Sequence, residues 1–378
     1  MKIVIVDTYY PAFMASCYAS DLELTVKPYS SQRQALLEHF FGTSDFYSHH
    51  LNALGCDAED LIVNCLGLQE AWAMENGIQY SPLALRIPHR LFRLPVVGPR
   101  LAALPGMVNI AVAQIQAAKP DVLYCQDLSF FPPKVLAELR PYAKLIVGQI
   151  ACPLPPDRFL KEYDLILTSF PHFVQRLIDK GVASEYFRIG FDPRVLQLLG
   201  KVPKSVEASF VGGISRHHGN AVPVLEYLAL NTPIQFFGYG AASLDRNSPV
   251  VSRHRGEVWG LDMYRALASS RVTLNRHINV AENNANNMRL YEATGVGTML
   301  LTDRKDNLGD LFEVGKEVVA YSNEVHAAEL IRYYLAHPDE ANTIAQAGQA
   351  RTLKEHTYEC RMEELVPILK RHLESRRR

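Results

Sequence analysis

The residues whose types and spacing could do chemistry are densest in the stretch NNANNMRLYEATGVGTMLLTD, Asn283 to Asp303. Asn283, Asn284, Asn286 and Asn287 stand there with Arg289 and Glu292, ahead of a glycine pair and an apolar run. The pattern predicts a helix over roughly Asn286 to Thr294, stopped by Gly295 and Gly297 before the strand TMLL. One or two asparagines would cap the orphan amides of such a helix start, but the whole set exceeds that need. Exposed amides at a helix N-terminus, with the Arg289 guanidinium beside them, suit a diphosphate. Glu292 lies three residues after Arg289 and projects from nearly the same face. Its carboxylate could accept two hydrogen bonds from a ribose diol; the plainer alternative is a simple Arg289–Glu292 surface pair.

The elements that must position these groups come from an alternation running almost the length of the chain. KIVIVD, DLIVNC, DVLYCQDL, KLIVGQI and DLILTS have strand length and are separated by helical spacing, which predicts a parallel sheet with crossover helices. ASFVGGI, IQFFGYG, RVTLNRH, TMLLTD and EVVAY repeat the alternation after about residue 205. The fold class expected is therefore α/β, with two Rossmann-like doubly wound domains: residues 1–200 and 205–355, joined through LLGKVPKSVE. A last helix in 357–378 has the length and apolar spacing to pack back on the first domain. Ligands of open α/β sheets sit beyond the carboxyl ends of the strands. In the second half those positions hold Ser215, Arg216, His217, His218 and Asn220, then Tyr239 and Gly240, then Arg276, His277 and Asn279.

At 378 residues the chain exceeds one ordinary core, and two domains imply a cleft. The 48% apolar and 21% charged composition is that of a globular protein, and a formal charge of -1 argues against a bulk nucleic-acid binder. Six scattered cysteines with no CxxC pair read as free thiols of a reducing compartment. MKIVIVD is a strand pattern rather than a signal peptide, and no run reaches transmembrane length, so a cytoplasmic protein is expected. The segment LRIPHRLFRLPVVGPRLAALPG, with Arg86, Arg90, Arg93 and Arg100, could be a lid, a second-substrate loop or a peripheral membrane contact; a solvated surface excursion explains it equally. DTYYPAF after the first strand lacks GxGxxG, which disfavours a dinucleotide oxidoreductase.

The run NNMRLYEATGVGTMLLTDRKDNLGDLFEVGKEVVAYSN, followed by YYLAHPDEANTIAQAGQARTLKEHTYECRMEEL, resembles the C-terminal domain of family-1-type glycosyltransferases with the GT-B fold. Within them it is most similar to the branch related to the spore-maturation CgeB proteins. Looser likeness extends to DFYSHHLNALGCDAEDLIVNC, KPDVLYCQDL, YDLILTSFPHF and SFVGGISRHH. The resemblance implies a nucleotide-diphosphate sugar, for example a UDP- or GDP-sugar, held mainly by the second domain. It implies an acceptor (glycan, lipid-linked, protein or small molecule) held mainly by the first, with transfer in the cleft. It implies Glu292 at the donor ribose, Arg289, Asn286 and Asn287 at the diphosphate, and Arg216 assisting; Tyr239 and Asn284 join them as donor-side candidates. Many retaining relatives carry two glutamates separated by seven residues, whereas this chain has Asn284 at the first position and Glu282 two residues earlier.

Glycosyl transfer needs a stabilised leaving group and, if inverting, a general base. Asp127, His172, His217 and His218 are the candidate bases, with the last pair favoured by a glycine-flanked loop. Tyr9, Tyr10 and His172 are acceptor-side candidates, although core packing is an equal alternative for each tyrosine. His49 and His50 read as structural helix residues. No cofactor and no metal are expected, since cationic side chains and helix amides can hold a diphosphate. The alternatives are a non-catalytic nucleotide-sugar or glycan-binding protein, or a nucleotide-sugar epimerase on the same fold.

Overall fold

A computed structural model describes residues 1–81, 106–214 and 221–376. Two parallel sheets face one another. The first runs β2-β1-β3-β4-β5-β6, from β1 (Lys2–Asp7), β2 (Asp57–Ile62), β3 (Val122–Cys125), β4 (Leu145–Ile150), β5 (Leu165–Thr168) and β6 (Ser184–Tyr186). The second runs β11-β10-β9-β7-β8, from β7 (Val206–Val211), β8 (Ile234–Phe237), β9 (Ser270–Asn275), β10 (Met299–Asp303) and β11 (Val319–Tyr321). All neighbours pair in parallel, so the connections are crossovers.

Side chains alternate across each strand, and both faces are covered. Ile3, Ile5, Val122, Tyr124, Leu145 and Val147 pack on one side of the first sheet, while Val4, Val6, Leu123, Cys125 and Ile146 pack on the other. The first of these cores continues into the second half through Val211, Leu267, Leu290 and Leu300.

The helix Tyr358–Ser375 lies against the helix Phe46–Ala53 of the first half. Phe191 and the 356–358 segment exchange backbone hydrogen bonds at 2.9 and 3.0 Å, and Tyr358 sits 5.1 Å from the Phe46 ring. Met362, Leu365 and Leu369 are fully buried. So is Arg361, whose guanidinium donates to the carbonyls of Ile189 and Glu355. Glu185 of β6 closes the far end on Arg371 and His372.

Candidate active site in the interdomain cleft

Both sheets reverse strand order between their first and third strands, β1/β3 and β7/β9. These reversals are where open parallel sheets leave a crevice. A cleft of about 450 Å³ lies there, lined from the first half by Asp7, Thr8, Tyr9, Tyr10, Phe41, Thr43 and Gln126. The second half contributes the ends of β7, β8 and β9, with Tyr239, Trp259, Met263, Arg276, Asn287, Arg289 and Glu292.

The helix expected over roughly 286–294 is Met288–Gly295. Asn287 is its cap: Oδ1 accepts from Leu290 N–H, and the side chain is braced by a 2.8 Å bond to Asn275 Oδ1. Arg289 then stands in the first turn, and its Nη1 lies 2.8 Å from Glu292 Oε2. This is no surface pair, because the side chains are only 15% and 6% exposed and both line the cleft. Burial raises the Glu292 carboxyl above its ordinary value, while Arg289 pulls it back. Arg289 also touches Met263 Sδ at 3.1 Å.

Tyr239 reaches the cleft because its neighbours are glycines. Gly238 has φ +119 and a Cβ there would lie 2.3 Å from the Gly212 carbonyl oxygen; one on Gly213 would lie 2.6 Å from the Tyr239 ring. The ring stacks on Trp259 at 5.7 Å and 9°, and Tyr10 meets both edge-on at 5.5 and 5.9 Å. Aromatic walls from the two halves therefore touch across the opening. Tyr10 is 48% exposed, whereas Tyr9 is buried, with its backbone fixed by Asn64 and its ring against Phe13 and Phe41. Packing is the better account of Tyr9, and the open wall of Tyr10.

Other expected residues stand elsewhere. His172 is not among the cleft-lining residues: Nδ1 meets Asn284 Nδ2 at 2.8 Å and Nε2 meets the Val280 carbonyl at 3.2 Å. With the exposed Arg176–Glu282 pair at 2.8 Å, these contacts tie the helix Pro171–Asp179 to the 279–284 segment. Asn284 is thus a strut between the halves, and the nearby Glu282 an outer ion-pair partner. Asn286 is buried outside the cleft lining. Asp127 also lies outside the lining; its carboxylate is taken up by Thr8 Oγ1 at 3.1 Å and Ser129 N–H at 2.8 Å. His50 is held on Asp192, and His277, which is not among the cleft-lining residues, on Asp303 at 2.6 Å. Arg216, His217 and His218, together with Arg86, Arg90, Arg93 and Arg100, lie outside the described residues.

Sequence reading passed over Asp7, Thr43, Gln126, Trp259 and Met263. Only Asp7 carried a usable signal, as an acid at the end of an apolar strand.

Residues 216–367 match the family described as glycosyl transferase-like. No curated protein matches the chain by sequence. Similar solved structures include HepE of Anabaena in complex with UDP-glucose, with a TM-score of 0.60, 12% identity and coverage of 98% of this chain and 99% of that one. The sucrose-phosphate synthase of Thermosynechococcus elongatus has a TM-score of 0.59 at 12% identity over 99% of each chain. A glycosyltransferase of Rickettsia africae gives 0.58 at 11% over 98% of each. The fold is the GT-B fold anticipated from sequence.

Proposed function

We propose that this chain is a glycosyltransferase that moves a sugar from a nucleotide-diphosphate donor to an acceptor hydroxyl in the interdomain cleft. The observation that carries the reading is the Arg289–Glu292 pair: a cation at a helix start and a buried carboxylate one turn on, both opening on the cleft. Arg289 and the first-turn amides hold the diphosphate, Glu292 the ribose diol, and Tyr239 flanks them; Arg216, His217 and His218, which follow β7 in sequence, remain donor-side and base candidates outside the described residues. Tyr10 and the first-half wall receive the acceptor.

The glycosyl transferase-like match over 216–367 and the UDP-glucose complex of the structurally similar HepE support a nucleotide-sugar donor. We read the transfer as metal-independent, because the Arg289 guanidinium at the helix start can neutralise the leaving group. The free cysteines support a cytoplasmic setting, and no described helix is long and apolar enough to cross a membrane. Within that class, the sequence likeness favours the CgeB-related branch.

A thermal-shift panel of UDP, GDP and their sugars tests donor binding. A ligand at a hundred times its dissociation constant stabilises the fold by about 2.7 kcal/mol. No shift with any of them at millimolar concentration would refute the donor site.

A further inference from the structure

The first-half wall of the cleft carries a carboxylate that donor binding leaves unused. Asp7 ends β1, at the strand-order reversal of the first sheet, and lines the cleft that Arg289 and Glu292 line from the other half. Its orientation is fixed: Oδ1 accepts from Thr8 N–H at 2.7 Å, and Oδ2 lies 3.2 Å from Thr43 Oγ1. Thr43 has a single hydroxyl hydrogen, and Gln126 Oε1 competes for it at the shorter distance of 2.8 Å. A hydroxyl hydrogen given to Gln126 leaves Asp7 Oδ2 open to another donor. Asp127, Asp60, Tyr9 and Tyr47 are the titratable groups that feel Asp7, and among the described residues no cation is paired with it. Burial pushes its carboxyl up to about 6, against the hydrogen bonds of Thr8 and Thr43 and with a smaller push from Asp127. A carboxylate so placed is ionised at neutral pH and still basic enough to take a proton.

We propose that Asp7 is the general base of the transfer: it takes the proton of the acceptor hydroxyl as that oxygen attacks the anomeric carbon of the donor. This rests on the transferase reading above. One carbon–oxygen bond forms to the acceptor, and the bond from the anomeric carbon to the diphosphate breaks. The electron pair leaves on the nucleoside diphosphate at Arg289, and the proton passes from Asp7 to solvent. Attack from the face opposite the leaving group inverts the anomeric centre.

The test uses the full chain with UDP-glucose, UDP-galactose, UDP-N-acetylglucosamine and GDP-mannose, water serving as the acceptor that every assay contains. Asp7→Asn keeps an acceptor for Thr8 N–H; Asp7→Ser is the second variant if the first melts early. Expected are nucleoside diphosphate release slowed by ~10²–10⁴-fold and nucleoside diphosphate affinity within about threefold of wild type. The wild-type rate should rise with pH to a plateau above about 6, with that limb lost in the variant. Sodium azide, a nucleophile with no proton to remove, should restore release in Asp7→Asn and give a glycosyl azide. Release that survives in both variants, or a product of retained configuration, would overturn the base and leave the transferase standing. Wild-type protein that binds these donors but releases no nucleoside diphosphate would overturn both.

Discussion

Glu292→Gln is the sharpest perturbation of the donor site, because it changes charge and little else. The carboxylate is 6% exposed and lies 2.8 Å from Arg289, so the amide can keep the shape and one acceptor for the guanidinium. Removing one partner of a fully buried pair costs about 3–5 kcal/mol. Here Arg289 reaches the cleft and the amide oxygen still accepts, so a loss of about 1–2 kcal/mol in stability at neutral pH is expected. The folded chain holds the Glu292 proton to higher pH than the unfolded chain, whose carboxyl has its ordinary value of 4.5. Wild-type stability therefore falls as pH rises from 4.5 through the raised value, and the variant lacks that decline. Its deficit should narrow across that window and stay constant above it. Hydrogen bonds to charged groups contribute about 1.5–3 kcal/mol, so ligands with a ribose diol should bind about tenfold to a hundredfold more weakly. Calorimetry with uridine, UDP and UDP-glucose reads this directly, with the guanosine series as the alternative. Arg289→Met should weaken the diphosphate-bearing ligands and scarcely touch the nucleoside. Unchanged binding in a folded Glu292→Gln protein would make the pair a structural brace and refute its role at the ribose.

Ending the chain before Thr357 removes Met362, Leu365 and Leu369, each worth about 1.5–3 kcal/mol in burial, against a total stability of about 5–15 kcal/mol. The shortened chain should fail to melt cooperatively in calorimetry; an unchanged melting temperature would deny the helix its bracing role. His172→Ala cuts two contacts between the halves and should cost about 1–3 kcal/mol, whereas Arg176→Ala, in a half-exposed pair, should cost at most about 1 kcal/mol. Equal effects in urea melts would refute that ranking. Transfer should persist in EDTA, since the leaving group rests on Arg289 and helix amides; strict dependence on added magnesium or manganese would refute this.

Most strands were legible because a strand buried on both faces writes itself as an apolar run, as in KIVIVD and KLIVGQI. One escaped that signal, and one showed only its far end. β6 is the short edge segment Ser184–Tyr186, with no apolar run to mark it. β2 begins at Asp57, so DLIVNC marked only its last three residues; the DAE start carries no apolar run, and Asp60 is buried with its carboxylate accepting from Ser48. At the site, Arg289 and Glu292 could be paired from sequence because three residues along a helix fixes their relation. Asp7, Thr43, Gln126 and Trp259 could not, since their loops meet only through the order of strands in the two sheets. The asparagines divide by the same logic: Asn287 is a local cap, visible in sequence, while Asn284 acts on His172, 112 residues away in the chain.

The central claim is turnover in this cleft, and the most direct measurement is mass spectrometry of wild-type protein incubated with UDP- and GDP-sugars, followed for both nucleoside diphosphate and sugar products. Transferase action predicts nucleoside diphosphate release matched by a glycosylated acceptor or free sugar, abolished together by Arg289→Met. Intact donor that is bound but never consumed would contradict it in favour of a binding protein, and donor consumed only by stereochemical change at the sugar would contradict it in favour of an epimerase.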